Sequence, residues 1–503
     1  MSRPGFALEV DERTPPLLVR SAAGVRLERF PLGTQVVYPT DGQRWGNPTE
    51  MAEQALARPL AGEPLAGRLR PGMRLTITFA DVSVPAPWAA DDIRRVLVEQ
   101  VLELAAAAGV DDVALIAACG IRRRLTTEDY RRLLGERISR SFANDPRLTS
   151  HDASDDAGLR TVGEAAGVQL RINRRVAESD LVVHVSVVTG REHAGWGEVV
   201  AGLGSAETID LAHAGHHGEV EQVVADQIPL ISLAAVLGTP SYTGPLRFLS
   251  SREWEWSVKD QVAFLATRRA LATAPVQAAR ALYAKRTADY PVLGIHLGPA
   301  EQVREQSQRQ LAEATRVAVP GPADILVAGV PAATCAVPDA DGSPLGAAWW
   351  VLSHCYGLGC DQPLVREGGA VIGFHGLGDR FSTRHHSAAA DFVAEVLTRT
   401  LDPVEIREHY QERYAHDSWY LDLYRQRNAF HPLLAFHQWY DMQPAIAACP
   451  DIVFVSANRR TAETMGFRAA STYPDALEIT ATRLGRRPTV TYLRDGLGIQ
   501  VGE

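Results

Sequence analysis

Leu75-Thr76-Ile77-Thr78-Phe79-Ala80-Asp81-Val82-Ser83-Val84-Pro85-Ala86-Pro87 decides how this chain reads. An apolar strand runs into a carboxylate, and two prolines and a long amphipathic helix follow. A charged side chain at the carboxyl end of a buried strand is costly unless it is paired or used. In open α/β sheets that edge is also where ligands bind. Asp81 therefore marks the expected mouth of a site; capping of the helix beyond Pro87 is its structural alternative.

Outward from this stretch the pattern alternates. Met73 to Phe79 reads as a strand, and Asp91 to Ala107 as a helix with Ile93, Val96, Leu97, Val101 and Leu104 on one stripe. Val113 to Ala118 is a second buried strand, ending in Cys119-Gly120. Thr126 is placed as the N-cap of the next helix, with Glu128 and Asp129 favouring its dipole. Asp180 to Val188 is a third strand, a glycine-rich loop runs to Gly204, and Ser205 opens another helix. Strands alternating with helices predict a mainly parallel sheet with right-handed crossovers.

Residues 1–70 hold short strand-like pieces, Leu17-Leu18-Val19, Val25-Arg26-Leu27 and Val36-Val37-Tyr38. Residues 218–290 read as a helical connector or lid. A second series is expected from 291, with strands at Val292–Ile295, Ile325–Ala328, Ala370–Phe374 and Ile452–Val455, closed by Thr489–Leu493. The fold class is thus α/β: two α/β domains with mainly parallel sheets and an inter-domain cleft, divided at 290/291.

The bulk composition narrows the function. With 503 residues, 46% hydrophobic and 22% charged, the chain is long enough for two domains of a globular protein. A net charge of −9 disfavours a general nucleic-acid binder, because phosphates repel an acidic surface. Only Lys259 and Lys285 are lysines, so no lysine chemistry is open to the first half. Five scattered cysteines suit reduced thiols. The N-terminus lacks a signal-peptide pattern, and the most apolar run, Ile228 to Leu237, is too short to span a bilayer. A cytoplasmic protein acting on a small anionic substrate is expected, with no nucleic-acid or membrane partner and the oligomeric state open.

Three further segments carry candidate chemistry. Arg122-Arg123-Arg124 follows the second strand and could grip a carboxylate or phosphate, although such a run is usually a solvated face. Gly190-Arg191-Glu192-His193-Ala194-Gly195-Trp196-Gly197 follows the third strand; its glycines permit close approach of a ligand, and His193 is the acid–base candidate. His213 lies near the end of the helix from Ser205. A lone histidine can hold a metal only if a cofactor brings the other ligands, and a polar helix end is the plain alternative. Cys355 and Cys360 lack a second pair for zinc or iron–sulfur, and His385-His386 read as surface. No GxSxG, P-loop, HExxH or full dinucleotide fingerprint occurs.

Over nearly its whole length the chain resembles the lactate racemase family, whose members use a nickel-pincer nucleotide. Ala55-Leu56-Ala57-Arg58-Pro59-Leu60 with Pro71-Gly72 resembles the family's lead-in to its first strand. Asp81 to Pro87 looks like its Asp-x-Thr-Arg-Pro-x-Pro signature, and Gly120 to Leu134 its Gly-Thr-His-Arg-Pro loop and helix. Asn173 to Val182, Gly202 to Ile209, Gly368 to Ile372 and Tyr473 to Glu478 are similar to later segments. The resemblance implies hydride removal from the carbinol carbon of a 2-hydroxy acid and its return to either face, with His213 on nickel and an arginine on the carboxylate. It also shows departures. Val84 replaces the signature arginine, Arg122 the first catalytic histidine and Arg191 the second, with His193 two places on. The lysine that tethers the nucleotide has no counterpart.

The resulting expectation is a racemase or epimerase with a non-covalent nickel-pincer nucleotide. Asp81, Arg122, Arg191 and His193 would act on the substrate, and Asp81, Gly195, Trp196, Gly197 and His213 would contact the cofactor. The alternative is a cofactor-free lyase, cyclase or transferase of specialised metabolism on the same fold. A non-catalytic binding protein ranks last, because polar groups gather at three strand ends.

Overall fold

The computed structural model describes residues 4–21, 24–41, 46–142, 145–190, 193–273, 287–331, 342–359, 362–379, 381–496 and 499–502. Two sheets organise them. The first has six strands in the order Val292–Gly298, Leu230–Leu237, Leu181–Val188, Arg74–Ala80, Asp112–Ala118, Leu148–Ser150. All neighbours are parallel except Val292–Gly298, which runs antiparallel at the edge. The second has seven strands in the order Phe6–Glu9, Gln35–Tyr38, Val490–Leu493, Ala323–Gly329, Val365–Phe374, Asp451–Val455, Arg468–Ala470.

Local chemistry starts the helices where the sequence suggests. Asp92 caps the Ile93–Ala107 helix through the Arg94 amide, and Thr126 with Asp129 forms a capping box on Thr127–Ser141. Both faces of the first sheet are covered, so its central strands are mostly apolar: every residue of Leu181–Val188 is buried, with His184 and Ser186 its polar members. Leu75, Ile77 and Phe79 face one side with Leu97, Val101 and Leu133, while Ile116 and Val182 face the other with Val199 and Val220.

Three expectations are corrected. Val292–Gly298 does not open the second sheet; it pairs with Leu230–Leu237 and completes the first. The chain instead enters through the second sheet, because Gln35–Tyr38 lies parallel to Val490–Leu493. A division at 290/291 therefore does not follow the sheets, and Val490–Leu493 is interior rather than closing. Segment 218–290 is not a helical connector throughout, since Leu230–Leu237 is a central strand of the first sheet. A short apolar run buried on both faces lacks the periodicity that separates strand from helix. Among the described residues, no helix is long and apolar enough to cross a membrane.

Candidate active site

Parallel pairing places three loop starts on one edge. Ala80 is paired with Ala118, and Phe79 with Val185, so the turns after Ala80, Ala118 and Val188 all leave the carboxyl edge of three adjacent strands. Asp81 sits there almost sealed from solvent, at 2% exposure. Its Oδ1 accepts the Ser83 amide at 3.0 Å and the Ser83 hydroxyl. Arg94 braces the turn from below, donating to the Ala80 and Asp81 carbonyls at 2.7 and 2.6 Å while its guanidinium is clamped on Asp92.

The three arginines divide. Arg122 turns into the corner, donating to Ser83 Oγ at 2.6 Å and lying 3.5 Å from Asp81 Oδ1, with its side chain 42% exposed. Arg123 is buried on Asp129, where it supports the capping box. Arg124 reaches toward Asp152 at 3.9 Å. One of the three thus presents a partly exposed guanidinium on a buried anionic seat, the geometry of a carboxylate grip. Cys119, beside it, is no nucleophile: burial and the Asp81 charge push its thiol up.

Gly120 is where this loop meets the rest of the molecule. Its φ is +50°, and a Cβ there would fall on the Ala201 carbonyl. Its carbonyl accepts from the Tyr424 hydroxyl at 2.9 Å, and the Ile121 carbonyl accepts from the His431 amide at 3.1 Å. Residues of the last hundred thus dock against the Arg122 loop.

His193 lies in the third loop. Its Nδ1 accepts the Thr189 amide at 3.2 Å, which leaves the proton of the neutral ring on Nε2. The Gln308 side chain holds the loop by donating to the Gly190 and His193 carbonyls. Glu198 accepts the Ala194 amide at 2.6 Å and faces the fully buried His184 at 3.8 Å. Burial raises the Glu198 carboxyl, but the nearby His184 and the charge of His193 outweigh it and hold the group at about 2. Arg191 lies outside the described residues.

Gly195, Trp196 and Gly197 begin a helix rather than lining the Asp81 corner. Gly195 has φ +86° with the Arg304 side chain where a Cβ would stand, and Gly197 faces Glu221. Trp196 packs on the cluster of Ile116, Leu170 and Val199. The glycines are explained by a positive φ and close packing, which the sequence does not distinguish from ligand approach.

His213 belongs to a different group. Its Nε2 meets Asp441 Oδ1 at 2.8 Å, and its ring stacks on His437 at 3.9 Å between centroids. His437 Nε2 in turn meets Asp210 at 2.8 Å, and the Trp349 indole donates to Asp441 at 2.8 Å. Two carboxylate–imidazole pairs therefore cross between segments more than two hundred residues apart. Beside them a cleft of about 870 Å³ opens between Asp210, Ala214 and Arg171 on one side and Arg407, Gln411 and Arg425 on the other.

The family cofactor can be tested on this histidine. Among the described residues, no group of three or more His, Cys, Asp or Glu side chains could hold a metal ion. His213 Nδ1 is buried without a hydrogen-bond partner, while Asp441 holds the opposite nitrogen. A carboxylate on one ring nitrogen and an unsatisfied second nitrogen is how a metal-ligating histidine is arranged. The fit is a single ligand bond, suited to a metal that arrives in a cofactor with its own donors.

Residues 32–224 match the family model of the lactate racemase N-terminal domain. Lactate racemase of Lactiplantibacillus plantarum is 25% identical over 171 residues, 33% of this chain and 38% of that protein, so the alignment spans under half of the relative's length. In this N-terminal region the chain is similar to lactate racemases, at a divergent level of identity. The fold agrees along the whole chain. The lactate racemase apoprotein of Thermoanaerobacterium thermosaccharolyticum superposes with a TM-score of 0.59 at 14% identity, covering 97% of this chain and 100% of that one. A Thermotoga maritima protein superposes with a TM-score of 0.51 at 12% identity, covering 92% and 100%.

The structure joins Asp81 to Arg122, as the sequence suggests, and places His193 on the same sheet edge and His213 in a separate cluster. Sequence reasoning missed Ser83, Arg94, Glu198, His437 and Asp441. Two signals were legible: Ser83 stands two residues after Asp81, where an Asp side chain bonds its own turn, and His437 and Asp441 are four apart on one helix face. His385 and His386 also differ from expectation, being half-buried and buried, with His385 bonded to the Asn428 carbonyl. Cys360 lies outside the described residues.

Proposed function

We propose that this chain is an isomerase, a racemase or epimerase, acting on a 2-hydroxy acid or related anionic hydroxy substrate. The observation that carries this reading is Arg122, a half-exposed guanidinium seated on the buried Asp81–Ser83 turn at the carboxyl edge of the parallel sheet. Arg122 binds the substrate carboxylate. Asp81 and Ser83 fix the direction of that guanidinium, so the carbinol carbon is presented to the edge in one orientation. For His193 to take the hydroxyl proton its ring must give up the Thr189 amide and carry its own proton on Nδ1, so that Nε2 accepts the proton as hydride leaves and gives it back as hydride returns. Arg191 is a second candidate for the anion.

A nickel-pincer nucleotide, held without a lysine tether, would sit on His213 and supply the hydride acceptor. Asp441 orients that ring from the opposite half, and the stacked His437 limits its rotation. The partner is then a small anion, with no nucleic-acid or membrane surface involved, and the setting is the cytoplasm. Arginine at Arg122, where the family has a histidine, supports a more anionic substrate than lactate.

The test uses protein made together with the cofactor-building enzymes. Chiral product analysis over a panel of 2-hydroxy acids, mono- and dicarboxylic, should show interconversion of one pair of stereoisomers. Nickel content should be near stoichiometric and should be lost in His213→Ala. Protein without nickel would end the cofactor assignment, and the metal-free lyase, cyclase or transferase reading would replace it.

A further inference from the structure

A second crevice lies where both sheets present carboxyl ends. Leu230–Leu237 of the first sheet leads into Thr239, while Gln35–Tyr38 and Val490–Leu493 of the second lead into Thr40 and Arg494. These residues enclose a cavity of about 410 Å³ with Arg247 and Arg252, within the size range of small-ligand sites. It shares no residue with the Asp81–Arg122 corner. Convergent strand ends from two parallel sheets are where this class of fold receives ligands.

The charges in the wall separate into paired and unpaired. Arg494 is committed to Glu253 at 2.6 Å, and Asp495 to Arg20 at 2.6 Å. Among the described residues, Arg247 and Arg252 make no ion pair; Arg247 feels the charge of the Asp260 carboxylate, and Asp41 also lines the wall. Arg252 is held with its guanidinium 4.5 Å over the Phe6 ring, and its Nη2 is buried without a hydrogen-bond partner. A buried guanidinium N–H left unsatisfied costs more than a surface one, and an anion placed there recovers it.

Hydroxyls supply the rest of the wall: eight of the seventeen lining residues are Ser, Thr or Tyr, so the surface suits a hydroxylated rather than an apolar ligand. Ser241 and Ser251 donate to the Asp289 and Arg247 carbonyls. Their oxygen lone pairs therefore remain to accept from ligand hydroxyls. Two guanidiniums outside any ion pair among the described residues match a dianionic head, and hydroxyl acceptors match a polyol body.

We propose that this crevice binds a small hydroxylated phosphate monoester of sugar-phosphate size, with Arg252 and Arg247 on the phosphate and the Ser/Thr wall on the hydroxyls. The assignment stands apart from the isomerase reading.

Calorimetric titration of the full chain tests it, with ribose 5-phosphate, inorganic phosphate and ribose as probes. Ribose 5-phosphate should bind, inorganic phosphate should compete, and ribose should bind at least about tenfold more weakly, as loss of charge-assisted bonds implies. Arg252→Ala and Arg247→Ala should each weaken ribose 5-phosphate by about tenfold or more, and Arg122→Ala should leave it unchanged. Arg247 is exposed, so its variant reads the site even if the Arg252 variant does not fold. Absence of ribose 5-phosphate binding, equal binding of ribose, indifference to Arg247→Ala, or loss in Arg122→Ala would each overturn the proposal.

Discussion

The Asp81 corner and the His213 bridge are built in opposite ways. The corner is local: Asp81, Ser83, Asp92 and Arg94 lie within fourteen residues, and Arg122 joins from the adjacent strand's loop. The bridge is remote: His213 and Asp441 are 228 residues apart, and His437 and Asp210 are 227 apart. The corner can form once three strands pair, whereas the bridge requires both halves of the chain to be folded and docked. The Asp81–Arg122 contact therefore lies within one half, with its loop buttressed by Tyr424, Asn428 and His431, while orientation of His213 depends directly on the other half.

The contrast breaks most visibly at Arg94. Its guanidinium is 1% exposed and satisfies Asp92 and two carbonyls, so Arg94→Ala should cost about 3–5 kcal/mol in urea unfolding. A loss under 1 kcal/mol on the order-of-magnitude scale for surface changes would show that Arg94 does not brace the corner. Next is Arg122→Ala, which should lower kcat/KM by about a hundredfold or more on the preferred hydroxy acid with an unchanged unfolding midpoint. A large stability loss with normal turnover would make Arg122 a structural strut.

The bridge predicts coupling instead. In a double-mutant cycle, His213→Ala and Asp441→Asn should couple by about 0.5–3 kcal/mol, read from thermal or urea unfolding; additive effects would mean that the contact across the halves carries no energy. A pH series sharpens the comparison on the His193 side. Glu198 is depressed to about 2 from an ordinary 4.5, so its contribution is fully present above about pH 4.5 and is lost as pH falls toward 2. Glu198→Gln should flatten that part of the stability profile between about pH 4.5 and 3; an unaltered slope would remove His184 and His193 as its partners. The smallest effect is expected at His216, which is exposed beside His213: His216→Ala should shift stability by no more than about 0.5 kcal/mol and leave nickel content unchanged.

How much of this was legible follows the same division. The Arg74–Ala80, Asp112–Ala118 and Leu181–Val188 strands and the caps at Thr126 and Ser205 were readable, because short-range pattern and capping chemistry set them, whereas Leu148–Ser150 and the Leu159–Ala165/Val168–Asn173 hairpin were not read. Asp81 and Arg122 were readable as candidates, since a strand end declares itself by the abrupt arrival of charge. The Val292–Gly298 strand and the Leu230–Leu237 strand were misassigned, because sheet membership depends on which apolar run finds which edge. Gly195 and Gly197 carried a signal for close approach without naming what approaches; the answer was Arg304 and Glu221.

The sequence by itself determined the alternation of strands and helices, the carboxylate at the strand end, the scarcity of lysine and the likeness to lactate racemases. Each rests on neighbours within a few residues or on composition. Only the tertiary structure decided that one arginine of three seats on Asp81, that His213 is held by Asp441, and that two arginines line a crevice between the sheets. Those facts are set by contacts between segments far apart in the chain, whose distances no local pattern encodes.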